Sequence, residues 1–295
     1  MKFRTRGQKI FNVINYILII IVCLSCFLPL LNTLAVSFSA PSYVASGAVY
    51  FWPKGFTTQS YEFAISNGKF LRAFMVTVVR CLLGVSINLF MMVTTAYPLS
   101  KSKDRFGARN FFMGFYAFTM LFGGGLVPYY ILVHNLGLLN SIWSLVLPLS
   151  VPVSSMVILM NFMRNLPPEI EEAAMIDGAG IFRILWSILL PVLKPSLATV
   201  GLFAFVYHWN DWFTGALFMN NPANYPLQTY LQTLLTNFRD MLRQAGSDYY
   251  SLLSRMNEQT GRAAQLFLGL VPILVVYPFV QKYFTTGLVM GSVKG

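Results

Sequence analysis

The chain reads NLPPEIEEAAMIDGAGIFRILWSILLP from Asn165 to Pro191. Two adjacent prolines favour the start of a helix, because the N–H group that proline lacks has no partner in a first helical turn. Three glutamates follow, and negative charge is stabilised at a helix N-terminus. Gly178 is suited to end this helix in the left-handed conformation. The segment therefore predicts a short helix, a sharp turn at the glycine and a second helix that ends near Pro191.

Long apolar stretches lie on both sides of this segment. The chain of 295 residues is 56% apolar and only 11% charged, whereas soluble domains are roughly 25% charged. A membrane-spanning helix needs about 20 mostly apolar residues. Six such stretches are predicted, at about 14–38, 72–97, 110–133, 142–163, 196–218 and 263–282. The sequence thus predicts an all-α integral membrane protein with six transmembrane helices in a single domain, residues 1–295.

The distribution of Lys and Arg predicts the orientation, because these residues are enriched in cytoplasmic loops. Most of the 21 fall near the two termini and in the segments 98–109 and 164–195. Both termini and the loop 164–195 are therefore expected in the cytoplasm, and the loops 39–71 and 219–262 outside the cell. The two outer loops are long enough to suggest docking of an external partner; a passive cover over the helices is the alternative. Residues 227–242 have the pattern of a short amphipathic helix.

The segment 165–191 resembles the EAA motif of ABC-importer permeases, which reads Glu-Ala-Ala, three residues, Gly, nine residues and then Ile-x-Leu-Pro. The positions that match this motif without a spacing error are Glu172, Ala173, Ala174, Gly178, Ile188, Leu190 and Pro191. The resemblance implies that the loop is a coupling helix, with Asp177 at its end, which docks in a cleft of a cytoplasmic ATPase subunit. An ordinary hairpin between two helices is the alternative.

Other segments resemble the same class of permease. The segments 96–100, 209–212 and 287–295 are similar to segments of the smaller, six-span permease of maltose importers. The segments 123–139 and 225–228 are similar to permeases for aldouronate and rhamnogalacturonan oligosaccharides. The resemblance implies the type I ABC importer permease fold and a C-terminal tail that reaches toward the ATPase dimer. The tail residues concerned are Gly291, Lys294 and Gly295.

Polar side chains occur within the predicted fifth span. His208, Asp211 and Trp212 are spaced as neighbours on one helical face, and polar groups inside a bilayer usually face a cavity or the bundle interior. Carboxylates and amides bond sugar hydroxyls, and indole rings stack on sugars, so these residues and Asn210 are candidates for lining a sugar pathway. The alternative is that they bond to neighbouring helices and hold the bundle together. Arg80 in the second span could meet an acidic sugar, but pairing with Asp211 or snorkelling outward is favoured.

Several activities are not expected of this chain. It has no Gly-x-x-x-x-Gly-Lys-Ser/Thr loop to hold phosphates, so ATP and Mg²⁺ are expected on a partner subunit and no cofactor on this chain. No nucleophile and base stand in a catalytic arrangement. Cys23, Cys26 and Cys81 lie in apolar spans, where packing is favoured over a metal or redox role. The chain has no basic stretch with interleaved aromatic residues, so nucleic-acid binding is not expected.

The sequence therefore predicts a multi-pass permease subunit in the cell membrane, which imports an oligosaccharide by alternating access. The expected partners are a homologous second permease, two ATP-binding-cassette ATPase subunits, an extracellular solute-binding protein, the oligosaccharide and membrane lipid. Two alternatives stay open: an ABC permease for another class of solute, and a self-sufficient secondary transporter. The latter predicts an internal inverted repeat, and none is evident in the sequence.

Overall fold

The computed structural model describes residues 6–66, 68–233 and 258–292, and within these ranges every regular element is a helix. The α-helices are α1 (Arg6–Ser37), α2 (Pro41–Ala45), α3 (Gln59–Ser66), α4 (Gly68–Ser100), α5 (Arg109–Leu121), α6 (Leu126–Asn135), α7 (Ile142–Val146), α8 (Val153–Arg164), α9 (Glu169–Ile176), α10 (Ile181–Arg183), α11 (Leu190–Val192), α12 (Lys194–Asn210), α13 (Phe213–Phe218) and α14 (Glu258–Ser292). A π-helical turn, Ile184–Leu189, joins α10 to α11. Residues 227–233 are helical as predicted, and the remainder of the predicted helix 227–242 lies outside the described residues.

Two of the described helices are continuous, long and apolar enough to cross a membrane, namely Gly7–Ser37 and Gly68–Ser100. They correspond to the predicted first and second spans. The predicted sixth span, 263–282, lies wholly within α14. Three further candidates are pairs of helices bent at a short break, so that each is either a broken span or a re-entrant loop.

The first two bent pairs correct the prediction of one helix each for the third and fourth spans, whereas the third bend lies at Leu193, before the predicted fifth span 196–218. The bend is 114° between α5 and α6, 48° between Ile142–Leu149 and α8, and 84° between Ile181–Val192 and α12. Local residues explain the breaks: Gly125 precedes α6 with φ +84°, a conformation that glycine adopts without strain. Pro152 precedes α8 with extended backbone. The predicted helix 196–218 is also divided, because α12 ends at Asn210 and α13 begins at Phe213.

The chain forms two compact units, one of residues 1–68 with 233–271 and one of residues 69–232 with 272–295. In the first unit the loop after α1 folds back on the end of that helix. Phe38 stacks on Phe56 and on Tyr61, with ring centroids 5.4 and 4.6 Å apart. Burial raises the pKa of the Tyr61 phenol, whose hydroxyl forms a hydrogen bond with Ser37. The predicted outer loop 39–71 thus has ordered structure of its own.

In the most apolar stretch of helix α1, no residue is buried within the chain. Its exposed side chains include Ile17, Ile21 and Phe27. Such a surface is stable only against lipid or another apolar surface. The helix therefore has the surface of a membrane span.

The core of the second unit is apolar and rich in methionine. Helices α4 and α8 contribute Met92, Ala96, Met156 and Met160, none more than 2% exposed. Residues of the loop 164–195 complete the same core. The loop 164–195, which contains the EAA-like motif, thus shares one core with the helices that precede it.

Candidate functional site

The loop 164–195 forms the predicted helix and turn. Helix α9 follows the two prolines, with three glutamates in its first turn. Gly178 has φ +75°, its N–H donates to Met175 O at 3.0 Å, and the Ala179 N–H donates to Ala174 O at 2.9 Å. This pair of bonds is the Schellman arrangement, which satisfies helix-end carbonyls through a left-handed residue. The predicted role of Gly178 in ending the helix is confirmed.

The base of the loop is buried against the helices. Ala174, Ile184 and Leu189 are at most 6% exposed and belong to the core that α4 and α8 form. Trp186 stacks on Phe90 of α4, with ring centroids 6.1 Å apart. Close packing transmits displacement because such interiors are barely compressible. A displacement of the loop is therefore expected to be transmitted to α4 and α8.

The second helix of the loop departs from regular α geometry. Residues 184–189 form a π-helical turn, and Pro191 follows in α11 before the 84° bend into α12. π-turns are rare and occur frequently at functional sites. The predicted second helix up to Pro191 is present, but no residue pattern indicates its π geometry.

The tip of the loop is apolar and exposed. Met175, Ile176, Ile181 and Phe182 are 45%, 86%, 67% and 79% exposed. Together they flank the Gly178 turn, so the tip presents large apolar side chains on a rigid support. Sequence reasoning missed these residues, although their position on either side of the motif glycine was a usable signal. An exposed apolar cluster of this kind marks an interaction surface.

The predicted coupling residues divide between the tip and the base. Ala174 is buried, and Ile188 and Leu190 are partly buried in the core. The exposed residues of the set are Glu172, Ala173, Asp177, Gly178 and Pro191. Of the predicted tail residues, Gly291 lies near the end of α14, and Lys294 and Gly295 lie outside the described residues.

Arg80 is the centre of a buried polar network in the second unit. Its side chain is 0% exposed, and Nη2 lies 2.5 Å from Asp211 Oδ2 and 3.1 Å from Thr214 Oγ1. Nη1 donates to Asp211 O at 3.0 Å, and Nη2 lies 3.5 Å from Leu145 O. A buried charge is tolerated only when it is paired and hydrogen-bonded. The guanidinium thus joins α4 to α7 and to the break between α12 and α13. Of the two favoured predictions, pairing with Asp211 is confirmed, and outward snorkelling is wrong because Arg80 is fully buried.

A second part of the network lies along the same face of α4. Asn88 Nδ2 donates to Leu149 O at 2.7 Å and to Ser150 O at 2.9 Å. This fixes Asn88 Oδ1 as the acceptor for His208 Nε2, 2.8 Å away. Gly84 makes room for the His208 ring, because a Cβ at that position would lie 2.4 Å from Nε2. His208, which is fully buried, therefore braces α12 against α4.

The break at Asp211 corrects the prediction that His208, Asp211 and Trp212 share one helical face. Asp211 has ψ 106° and is not helical. Its Oδ1 accepts the backbone N–H groups of Phe213 and Thr214 at 3.0 and 3.2 Å. Aspartate often makes such local bonds and so starts a new helix instead of continuing an old one. The side chains of Trp212 and its neighbour Asn210 are exposed, outside the buried network.

The family model described as "Binding-protein-dependent transport system inner membrane component" matches residues 60–289. The chain belongs to this family. The matched range contains the loop 164–195 and the whole polar network around Arg80.

Two relatives of this transport family from Bacillus subtilis (strain 168) match over nearly their full length. Protein LplC is 36% identical over 291 residues, covering 99% of this chain and 97% of LplC. The polygalacturonan/rhamnogalacturonan transport system permease protein YtcP is 34% identical over 291 residues, covering 98% of this chain and 99% of YtcP.

One solved structure has the same fold. It is the crystal structure of a bacterial ABC transporter involved in the import of the acidic polysaccharide alginate. A chain of that transporter matches with a TM-score of 0.88 and 28% identity, covering 96% of this chain and 100% of that chain. The predicted ABC importer permease fold is confirmed.

These comparisons confirm the resemblance drawn from the EAA motif. This binding-protein-dependent transport component is an ABC-importer permease, a helical membrane protein whose relatives are transport subunits and not enzymes. The number of membrane crossings and the side on which the termini lie stay predictions.

Proposed function

We propose that this chain is a permease subunit of an ATP-driven importer for an oligosaccharide. The observation that carries the proposal is the full-length likeness to YtcP, a permease named for polygalacturonan and rhamnogalacturonan transport. The structural likeness to an importer of an acidic polysaccharide supports the same substrate class. Neither alternative, another solute class or a self-sufficient transporter, has a specific observation in its favour.

The cytoplasmic loop is the surface proposed to receive an ATPase subunit. Its tip, Met175 to Phe182, exposes large apolar side chains, and its base is buried against α4 and α8. Closure of an ATPase dimer around the tip would displace the base and with it these helices. Two ATPase subunits would carry ATP and Mg²⁺, a homologous permease would complete the pathway, and an extracellular binding protein would deliver the sugar. The tail residues Gly291, Lys294 and Gly295 are proposed to extend toward the ATPase dimer.

The substrate pathway is proposed to pass the exposed side chains at the α12–α13 break. Trp212 is 43% exposed and its indole can stack on a sugar ring, and Asn210 offers an amide for hydroxyl groups. Arg80 bonds Asp211 at the α12–α13 break, and His208 bonds Asn88 of α4. The role proposed for Arg80, Asp211 and His208 is therefore to brace these elements. They would shape the pathway wall by fixing the backbone from which Trp212 projects.

Reconstitution tests the proposed function. The chain is co-expressed with its partner permease, ATPases and binding protein, and uptake of labelled oligogalacturonide is measured in proteoliposomes with and without ATP. Uptake that requires ATP, the ATPases and the binding protein is expected. Uptake by this chain alone would support a secondary transporter instead. Coupled uptake of a peptide or amino acid, with none of the oligosaccharide, would contradict the proposed substrate.

A further inference from the structure

The cytoplasmic end of α4 is a meeting point of three other elements. Leu99 O accepts a hydrogen bond from Arg109 Nε at 3.2 Å and from Arg164 Nη2 at 3.0 Å. Arg109 begins α5, and Arg164 ends α8. Carbonyl groups in the last turn of a helix lack intrahelical partners, so two cationic donors from other helices fix the position of this end of α4.

Lys101, just beyond α4, forms the third connection. Its Nζ forms an ion pair with Glu171 Oε1 in helix α9 and lies 4.3 Å from the centroid of the Tyr97 ring. The side chains of Lys101 and Glu171 are only 16% and 13% exposed. Salt screens such partly buried pairs much less than surface pairs. The pair therefore joins the EAA helix directly to the end of a membrane span.

Glu171 differs in burial from the glutamate of the EAA motif, although Arg105 approaches both of them: its Nη1 lies 3.6 Å from Glu171 Oε2. Glu172 is 55% exposed, and its nearest cation, Arg105 Nη2, is 3.7 Å away on a side chain that is itself 47% exposed. Exposed pairs of this kind contribute little to stability. Glu172 is thus free to face a partner, whereas Glu171 is held by its own chain.

We propose that Lys101 and Glu171 are positioning residues, whose ion pair makes the end of α4 and helix α9 move as one body throughout the transport cycle. The inference rests on the proposed function, because it assumes that α9 is displaced by an ATPase. Helix α4 also carries Arg80, whose guanidinium holds the backbone at Asp211. Displacement of α9 would then reach the α12–α13 break through a single rigid helix.

Neutral variants of the complete importer test the role of the pair. In Glu171→Gln and Lys101→Gln, oligosaccharide transported per ATP hydrolysed is expected to fall by roughly 2- to 30-fold, the span of coupling changes produced by single positions. The charge swap Lys101→Glu with Glu171→Lys is expected to restore only part of the ratio, because the positive charge placed at position 171 also meets Arg105, whose Nη1 lies 3.6 Å from Glu171 Oε2. The matched control is Lys103→Gln, an exposed residue of the same loop with no ion pair in the described part of the chain. Complex assembly and thermal unfolding are recorded for every variant.

The results separate the possible explanations. An unchanged ratio in both assembled single variants, or a swap no better than either, would overturn the proposal. A fall in the ratio together with normal assembly and unfolding supports a positioning role, because a merely structural loss would appear in those two measurements. Failure of the wild-type importer to couple hydrolysis to uptake would instead refute the proposed function.

Cross-linking in the unmutated complex tests whether the contact persists. A carbodiimide condenses a carboxylate and an amine that are in contact into an amide. The Lys101–Glu171 cross-linked peptide is expected by mass spectrometry in equal yield from the nucleotide-free and the nucleotide-trapped importer. A yield that collapses in one state would show that the two segments separate during the cycle, and the proposal would be wrong.

Discussion

At Gly84 the space that a side chain would need is occupied by the ring of His208. A Cβ would lie 2.4 Å from His208 Nε2, so Gly84→Ala must displace the imidazole and its hydrogen bond to Asn88. Overpacking a buried site typically costs about 1–3 kcal/mol, and a lower midpoint of thermal unfolding is expected for the purified importer. The matched control is Gly201→Ala in α12, where the new methyl group meets Leu89 only at ordinary distances of 3.6 and 3.7 Å. Equal midpoints for the two variants would contradict the close approach.

The Arg80–Asp211 pair has a larger predicted effect. Removing one partner of a buried ion pair leaves an uncompensated charge and costs roughly 3–5 kcal/mol. Arg80→Gln and Asp211→Asn are therefore each expected to destabilise the second unit strongly. The double variant is expected to lose less than the sum of the two, because no charge is left unpaired. A double-mutant cycle on the unfolding free energy measures this coupling, and additive losses would show that the pair does not act as one unit.

At the scale of the element, the turn after α9 depends on one glycine. Gly178 has φ +75° and open space around it, so the cost of Gly178→Ala is conformational and not steric. A left-handed residue with a Cβ costs roughly 1–2 kcal/mol. Because both Schellman bonds depend on this conformation, ATP hydrolysis stimulated by the binding protein is expected to fall. Gly180, also in open space but with φ −71°, provides the control, and its change to Ala is expected to leave hydrolysis unchanged.

Structural features that depend on neighbouring residues were predicted from the sequence, whereas features that depend on residues far away in the chain were missed. Helix α9 and its turn follow from prolines, glutamates and a glycine within the twelve residues from Pro167 to Gly178, so their position was predictable. The break at Asp211 depends on Arg80, which is 131 positions earlier in the chain. The helical spacing of residues 208–215 does not show that the Asp211 carboxylate bonds a distant arginine and caps a new helix, so the break was not predicted. The three consecutive glycines, 123–125, indicate a break between α5 and α6, but the angle of 114° depends on packing.

At the scale of the whole molecule, the number of crossings determines where the C-terminus lies. Helices α1 and α4 are each long and apolar enough for one crossing, and α14 contains the predicted last span. If each of the three bent pairs also crosses once, the total is six, and an even number returns the chain to its starting side. If the pair α5–α6, bent by 114°, enters and leaves on the same side, the total becomes five.

Reporter fusions distinguish these counts. Because Lys and Arg are concentrated in the predicted inner segments, both termini are expected in the cytoplasm, and green fluorescent protein fused to the C-terminus should fluoresce in intact cells. Alkaline phosphatase at the same position should be inactive, because it requires the oxidising side of the membrane. Fusion of each reporter within the loop 39–71 provides the matched control, where phosphatase activity without fluorescence is expected. With the loop 39–71 outside, a C-terminal fusion with active phosphatase would require an odd number of crossings, and an odd number of the three bent pairs would then be re-entrant loops.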